Sequence, residues 1–299
     1  MGKRSWVSTL LTQACLCFAL YLSFHLGERE IPIYSRTSGR GTPLDLYFLS
    51  VRGGYRLPQQ QRHLLQQMEK VAKTYRAKFV VDISELGDDD PLMLNGTLLR
   101  FPSLKVPWYT TRTSQGEGKE YFLKQITITH GQVLTLIGLD TGPLQGYQHT
   151  GQQRGMASNQ LQWLTRILGV TDSNWRIVAG FHPLAVCEED EVQMETMHVS
   201  EPLQRIFLKF GVNTFLSKQG CSNFYIRQGS ITYIGIPGPM DRENNRTSSV
   251  NKSFTFHRDM DDGFILHRVS PLEIVSYLIN SAGQVVSRSK LHQRGREVM

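Results

Sequence analysis

A chain of 299 residues in which 40% of residues are hydrophobic can bury a substantial core, as one large domain or two small ones. The formal net charge is +7, and the excess lies towards the two ends of the chain. No basic stripe interleaved with aromatic residues crosses the part predicted to fold, so composition and charge argue against a nucleic-acid-binding protein.

The N-terminal segment predicts a membrane anchor. Residues 5–27 contain no Asp, Glu, Lys or Arg and follow Lys3 and Arg4, and a run of this length can cross a hydrocarbon core of about 30 Å. Positive charge before the run predicts a type II single-pass protein, with residues 1–4 in the cytoplasm and the rest lumenal or extracellular. A cleaved signal peptide is the alternative, although no small-residue cleavage site ends the run. Both interpretations predict the secretory pathway, in the ER, the Golgi or the plasma membrane.

Sequons and cysteines agree with an oxidising, lumenal placement. N-glycosylation sequons begin at Asn95, Asn245 and Asn251. Beyond the anchor the chain has only two cysteines, Cys187 and Cys221. Two interpretations stay open for them, a single disulfide or two separate buried thiols.

Residues 28–43, rich in Gly, Ser, Arg and Pro, read as a stalk, and residues 44–287 as one folded domain. In its first half, helices are predicted to begin at Pro58, near Ser158 and at Ser200. Hydrophobic runs there predict strands at Leu44–Val51, Phe79–Ile83, Leu104–Tyr109, Tyr121–Thr129, Gln132–Leu139, Trp175–Ala179 and Val212–Ser217.

After Asn223 the pattern predicts strands without helices, as an antiparallel set. These strands are Asn223–Arg227, Ile231–Ile236, Gly263–Val269, Glu273–Ile279 and Gln284–Ser287. The basic residues 288–299 read as a solvated tail. Alternating strands and helices followed by an antiparallel set predict an α/β protein with two mixed sheets packed face to face and helices outside, a four-layer α/β/β/α sandwich.

Ligands of such folds bind at the carboxyl ends of the strands, so the residues that follow each hydrophobic run are informative. The order of these segments resembles the calcineurin-like metallophosphoesterases, and most closely the small purple acid phosphatases. Trp175–Pro183 is similar to the family segment W-K-I-V-x-G-H-H-P, and Leu136–Thr141 is similar to its apolar strand ending in Asp-Thr. The resemblance covers Leu44 to Ser287 and implies the fold of that family.

The resemblance also implies two metal ions, iron with zinc or manganese, that hydrolyse phosphomonoesters while bound by Asp, Asn, His and Tyr ligands. Most matching positions carry residues unsuited to this role. They are Arg52 for the first Asp, Glu85 and Leu86 for Asp-Asn, Asp88 near the Tyr, residues 112–114 for Asn-His, Phe181 for a His, and Gln219 and Cys221 for two His. Only Glu85 is still a ligand by type, and Arg52 places a fixed positive charge where a metal would sit. No bound cofactor is therefore expected.

The predicted function is that of a membrane-anchored purple acid phosphatase-like protein that has lost its metal ligands and serves as a non-catalytic binding or scaffold protein for an unidentified partner. The resemblance places Cys187 and Cys221 beside the former metal site, where a disulfide would hold together loops once joined by metals.

Two alternatives stay open. A residual metal-dependent phosphoesterase would use Glu85, Asp140 and His182, although a histidine satisfied near a strand end is the simpler interpretation of His182. A lumenal glycosyltransferase would use the D-x-D pattern of Asp88 and Asp90, which an acidic, solvated turn before Pro91 also explains.

Overall fold

The computed structural model describes residues 11–18, 45–98, 100–111, 121–128, 131–144, 151–189, 195–199, 201–220, 224–239 and 262–293. The chain divides into two units, Met1–Gly41 and Thr42–Met299. In the first unit residues 11–18 are helical and exposed; the rest of the predicted anchor and the predicted stalk lie outside the described residues. No helix within the described ranges combines the length and the apolar character that crossing a membrane requires.

The second unit is built from fourteen strands among the described residues. In chain order these are β1 (Leu46–Arg52), β2 (Val80–Ile83), β3 (Trp108–Thr110), β4 (Tyr121–Thr127), β5 (Val133–Leu139), β6 (Trp175–Gly180), β7 (Ala185–Glu189), β8 (Glu195–Val199), β9 (Thr214–Lys218), β10 (Tyr225–Gln228), β11 (Ile231–Ile236), β12 (Gly263–Val269), β13 (Glu273–Asn280) and β14 (Val285–His292). The helices are α1 (Pro58–Tyr75), α2 (Pro91–Gly96), α3 (Gly151–Val170) and α4 (Glu201–Lys209).

Twelve of the strands form two mixed sheets of six. The first sheet has the order β14-β13-β12-β1-β2-β3, in which β1 is parallel to β2 and antiparallel to β12. The second has the order β10-β11-β9-β6-β5-β4, in which β5, β6, β9 and β11 are successive parallel neighbours. The remaining pair, β7 and β8, forms a separate antiparallel ribbon.

Hydrophobic residues fill three layers between these elements. Along β1, Phe48 enters the core between the two sheets, whereas Leu49 and Val51 face α1, as the period of two in a strand requires. α1 covers the first sheet with one apolar face that includes Leu64 and Met68. On the second sheet, α3 and α4 supply the corresponding layer. The predicted four-layer α/β/β/α sandwich is confirmed.

Several boundaries differ from the sequence-based predictions. α3 begins at Gly151, about two turns before Ser158, because residues 151–157 contain helix formers but no apolar stripe. The strand predicted to end at Ser287 continues to His292. Leu291 lies in the inter-sheet core and Arg288 and Lys290 alternate with inward positions, so residues 288–292 are an edge strand rather than part of a tail.

Other elements were placed differently or not predicted. The weak strand predicted at Leu104–Tyr109 divides into a 3₁₀ turn, Pro102–Leu104, and the short strand β3. The predicted antiparallel pairing holds among β12 to β14 and between β10 and β11, whereas β11 also pairs in parallel with β9. α2 and the ribbon of β7 and β8 were not predicted.

Candidate functional site

The carboxyl ends of the parallel strands from the two sheets come together at one edge of the sandwich. Arg52, at the end of β1, contacts Phe181, the first residue after β6. Glu85, in the loop after β2, contacts His182, the second residue after β6. We call this group the strand-end site, and define it as Arg52, Glu85, Asp140, Phe181, His182 and Lys218. The sequence resemblance had placed Arg52, Glu85 and Phe181 at degenerate metal-ligand positions, and Asp140 and His182 were candidates for a residual hydrolase.

Phe181, which follows β6, lies between cations contributed by both sheets. The Lys218 ammonium is 4.8 Å from the centroid of its ring and the Arg52 guanidinium carbon is 5.9 Å from it, both within the range of cation–π attraction. The Phe181 carbonyl also accepts a hydrogen bond from the backbone N–H of Lys218 at 3.0 Å. The aromatic ring therefore occupies, with two cations, the position that the sequence resemblance assigns to a ligand histidine.

A glycine fixes the path of the Arg52 side chain. A Cβ atom at Gly238 would lie 2.3 Å from Cδ of Arg52, so any larger residue there would displace the arginine. The Arg52 stem therefore packs directly on the backbone after β11, and only its end approaches Phe181. This packing holds the positive charge of Arg52 at the edge where the two sheets meet.

His182 is held through both nitrogens of its ring. Its backbone N–H donates to Oγ1 of Thr141 at 2.8 Å, and the same hydroxyl lies 3.1 Å from Nδ1. The Thr141 hydroxyl can accept from Nδ1 or donate to it, according to which ring nitrogen carries the proton. Nε2 lies 3.4 Å from Oε1 of Glu85. Burial lowers the pKa of His182; Glu85 and Asp140 oppose this and Lys218 adds to it, so the ring is neutral at neutral pH.

Asp140 serves chiefly to start the turn after β5. Its Oδ1 accepts the backbone N–H of Gly142 at 2.9 Å, and its carbonyl accepts Nε2 of Gln160 from α3 at 2.9 Å. The side chain is partly buried, and its charge reaches His182 only as one of the smaller influences on the pKa of that ring. The structure thus brings Glu85, His182 and Asp140 into one neighbourhood and gives Asp140 a local structural partner.

Asp90, an acidic residue outside the strand-end site, joins the loops that follow β1 and β2. Its Oδ2 accepts the backbone N–H of Gly54 at 2.7 Å and the hydroxyl of Ser84 at 2.5 Å. Its Oδ1 accepts the backbone N–H of Leu92 at 2.8 Å, which caps the N-terminus of α2. Asp90 is fully buried. The two carboxylates of the D-x-D pattern therefore differ, because Asp90 is internal and hydrogen-bonded whereas Asp88 is exposed.

Asp82, inside β2, is buried beside Asp90. A Cβ atom at Gly53 would lie 2.3 Å from Oδ2 of Asp90 and 2.7 Å from Oδ1 of Asp82, so only glycine fits between the two carboxyl groups. Neither oxygen of Asp82 has a hydrogen-bond partner among the described residues. Burial raises the pKa of Asp82 well above its ordinary range, the charge of Asp90 raises it further, and Arg56 opposes both.

Arg56 links the loop after β1 to the start of β12. Its guanidinium donates to both carboxylate oxygens of Asp262, at 2.8 and 2.9 Å, and to the carbonyl of Arg52 at 2.7 Å. The Arg56 side chain is fully buried. A bidentate pair of this kind sets the geometry of the loop that carries Arg52 and Gly53.

The other residues singled out from the sequence lie as follows. Leu86 donates its backbone N–H to Ser84, and the exposed Asp88 accepts the Thr110 hydroxyl at 3.5 Å. Gln219 bonds its backbone N–H to the Ile236 carbonyl at 3.2 Å. Cys187 lies within the β7–β8 ribbon. Residues 112–114, Cys221, Asn245 and Asn251 are outside the described residues, so the disulfide stays a prediction.

These residues do not fit a dinuclear metal centre. Nowhere in the described ranges do three or more His, Cys, Asp or Glu residues come together closely enough to hold a metal ion. Arg52 and Lys218 bring two positive charges to Phe181, which would repel metal cations. Glu85 is partnered by His182 instead.

Sequence reasoning missed Lys218, Thr141 and Asp82, which shape this region, and did not predict the structural role of Asp90. Lys218 follows one hydrophobic run of the sequence and Thr141 ends another. A position at the end of a predicted strand is the same signal that identified Arg52. Asp90 precedes Pro91, a combination typical of a helix N-cap. Asp82 gives no such signal, because a single carboxylate inside a hydrophobic strand run does not show which side chain lies beside it.

No known family profile matches the chain, and no curated protein matches it. Among solved structures it is similar to GAP50, described as the anchor in the inner membrane complex of Plasmodium, with 17% identity over 85% of this chain and 90% of that one and a TM-score of 0.61. Weaker likenesses are to PhoD (10% identity, 83% and 68% coverage, TM-score 0.44) and to a predicted phosphoesterase of Streptococcus pneumoniae (9%, 83% and 98%, 0.37). The sheet order and the first of these likenesses confirm the fold that the resemblance implied, a metallophosphoesterase-like α/β sandwich.

Proposed function

We propose that this protein is a non-catalytic, membrane-anchored relative of the purple acid phosphatases that binds or scaffolds a partner. One observation carries the proposal: Arg52 and Phe181, which the resemblance matches to metal-ligand positions, form a cation–π group with Lys218. Cations at these positions repel the metal ions on which the hydrolysis of the family depends. In this proposal the protein keeps the fold of the family but lacks the metal ligands that its hydrolysis requires.

The remaining polar residues do not restore the chemistry. A general base needs a free nitrogen or oxygen within reach of the attacking water. Nδ1 of His182 contacts the Thr141 hydroxyl and Nε2 lies 3.4 Å from Glu85, so both ring nitrogens already face protein groups rather than an open position for a water. The pairing of Glu85 with His182 is the one observation that favours the residual hydrolase, and the same experiment tests both functions.

The membrane part of the proposal is supported by the sequence of residues 5–27 and by the structural likeness to GAP50, the anchor in the inner membrane complex of Plasmodium. A charge-free apolar run after two basic residues favours a type II orientation with the sandwich on the lumenal or extracellular side. A protein of this kind presents its strand-end site to a lumenal partner.

The experiment uses the full-length chain purified in a mild detergent. Bound iron, zinc and manganese are measured by mass spectrometry, and hydrolysis is followed with p-nitrophenyl phosphate. We expect substoichiometric metal and no turnover above the detergent blank, with or without added manganese. Stoichiometric metal together with turnover that Glu85→Ala abolishes would contradict the proposal and establish the residual hydrolase instead.

A further inference from the structure

We propose that the outer face of α1 binds a sulfated polysaccharide, through a row of exposed cations that runs along the helix and past its C-terminal end. We call this surface the basic face, and define it by the exposed residues Arg62, Gln66, Lys73, Arg76 and Lys78. None of them belongs to the strand-end site. The inference goes beyond the proposed function and takes from it only the lumenal or extracellular side of the sandwich.

Helix geometry places the first cations in a line. α1 packs one apolar face, which includes Leu64 and Met68, against the first sheet, so the opposite face is exposed. Lys73 follows Arg62 after three full turns plus about 20°, so both lie on that exposed face, about 16 Å apart along the axis. Gln66 lies between them on the same face. Cations spaced in this way suit a linear polyanion rather than a single small anion.

The row of cations continues past the end of α1. Arg76 is the C-cap residue, with a φ of 54°, and its backbone N–H donates to the Ala72 carbonyl. Lys78 donates its backbone N–H to the Tyr47 carbonyl at 2.8 Å. Both side chains are exposed. Because these bonds fix the backbone, the two cations follow the last turn of α1 in defined positions, where positive charge also complements the helix dipole.

Glu69 is the one acidic residue of α1, and the first sheet's loops engage it. Its Oε1 accepts the backbone N–H of Ser103 at 3.1 Å, and its Oε2 accepts the backbone N–H of Leu104 at 3.2 Å. Lys105, exposed at the end of the same 3₁₀ turn, adds a positive charge there. The four cations of the basic face form no ion pair with a described residue. Their charge is therefore not cancelled from within the helix.

The ion pairs elsewhere on the first sheet are balanced among themselves. Arg268 pairs with both Asp45 and Glu273, and Lys290 pairs with Glu273. Two cations match two carboxylates in this cluster, so its acidic residues do not offset the cations of the basic face.

The composition of the basic face favours a sulfated polysaccharide over other partners. Between residues 58 and 78 no large hydrophobic side chain is exposed, so the surface lacks the apolar anchor that a protein interface or a membrane surface requires. No exposed aromatic ring lies among the cations for a nucleic-acid base to stack on. A sulfated polysaccharide carries fixed negative charges along a chain, and hydroxyl groups that the amide of Gln66 can bind. It is also a polyanion that a lumenal or extracellular domain meets.

The test measures binding of the full-length chain, in mild detergent, to immobilised heparin by surface plasmon resonance over a range of sodium chloride concentrations. We expect the affinity to fall linearly with salt on logarithmic axes, because binding releases counterions from the polymer. The double variant Arg62→Gln/Lys73→Gln loses two contacts with the polymer. We expect it to bind about tenfold more weakly at physiological salt and to lower the salt slope by about two.

Arg166→Gln/Lys209→Gln is the matched control. It also removes one arginine and one lysine, which are exposed on α3 and α4 in the helical layer of the second sheet. The control therefore has the same net charge as the α1 variant and keeps the same basic termini, and we expect it to bind heparin like the wild type. Thermal unfolding shows whether each variant is folded. If the α1 double variant does not fold, Lys73→Gln decides alone, with a slope lowered by about one.

Two outcomes overturn the inference. Equal binding by the α1 variant and the wild type, or an equal loss in the control, would show that heparin responds to the basic termini or to net charge. Tighter binding of polyuridylate or polyglutamate than of heparin, lost in the α1 variant, would assign the basic face to a nucleic acid or to an acidic protein. Either outcome leaves the proposed function standing, because these variants do not bear on metal content or turnover.

Discussion

Phe181 shows how a change of one side chain alters the chemistry of its surroundings. A histidine at this position would present nitrogen to a metal, whereas the phenyl ring presents a negative face that two cations approach from β1 and β9. Next to it, His182 keeps the residue type of the family but is neutral, contacts Thr141 through Nδ1 and lies 3.4 Å from Glu85 at Nε2. For inferring the chemistry of this site, the residue type at a strand end is therefore less informative than the groups that its side chain contacts.

Asp82 is the residue whose replacement should stabilise the protein. Because its pKa is raised in the fold, the folded chain holds the proton more tightly than the unfolded chain, and the stability this gives is lost as pH rises from about 4 towards the folded pKa. Asp82→Asn does not titrate, so we expect it to gain about 1 kcal/mol over the wild type at pH 7 and less at pH 4. Urea unfolding at both pH values measures the difference.

Asp88→Asn is the control for that measurement, since it changes an exposed carboxylate in the neighbouring turn. We expect no pH-dependent difference from the wild type for this variant. If Asp82→Asn gained more unfolding free energy over the wild type at pH 4 than at pH 7, the conclusion that folding raises the pKa of Asp82 would be wrong.

At the scale of elements, hydrophobic patterning predicts those parts whose side chains meet the core. The buried runs of β1, β6 and β12 and the apolar face of α1 are visible in the sequence, and β12 has the predicted bounds. The parallel strands then bring Arg52, Glu85 and Phe181 together, because their carboxyl ends share one edge.

The elements that were missed lack such a pattern. α2 has six residues, fewer than two helical turns, so it shows no usable period. Residues 288–292 were misread because their charges masked an inward alternation that ends at Leu291. The pairing of Asp82 with Asp90 depends on a close approach at Gly53, which only the folded backbone reveals.

The N-terminus of α2 is capped by Asp90. Asp90→Ala removes the cap and leaves the buried Ser84 hydroxyl and the Gly54 N–H without their acceptor, so we expect a loss of about 1–3 kcal/mol in unfolding free energy. Hydrogen exchange should show faster exchange in residues 91–96. Urea unfolding measures the loss in free energy.

Asp90→Asn separates the cap from the charge. Asparagine also accepts at an N-cap, and its neutral side chain removes one of the influences that raise the pKa of Asp82. We expect Asp90→Asn to lose less stability than Asp90→Ala. Equal stability of Asp90→Ala and the wild type would show that α2 is held by its packing on Leu65 and Trp108 alone.

At the scale of the whole molecule, the proposed function depends on which side of a membrane the sandwich lies. Asn95 offers a test, because it begins a sequon and is exposed on α2, where its Nδ2 donates to the Pro91 carbonyl at 2.8 Å. An oligosaccharyltransferase acts only in the lumen of the secretory pathway, so a glycan at Asn95 reports the compartment of the domain.

We expect the chain translated in the presence of microsomes to resist alkaline extraction and to carry a glycan at Asn95 that peptide N-glycosidase removes. Thr97→Ala destroys the sequon but keeps Asn95, and loses only a hydroxyl bond to the Leu94 carbonyl at 3.0 Å, so it should lower the mass by one glycan without unfolding the domain. If the Thr97→Ala chain migrated like the wild type and added protease digested both chains outside the microsomes, the sandwich would lie in the cytoplasm. The type II orientation would then be wrong, and a lumenal partner for the strand-end site would be excluded.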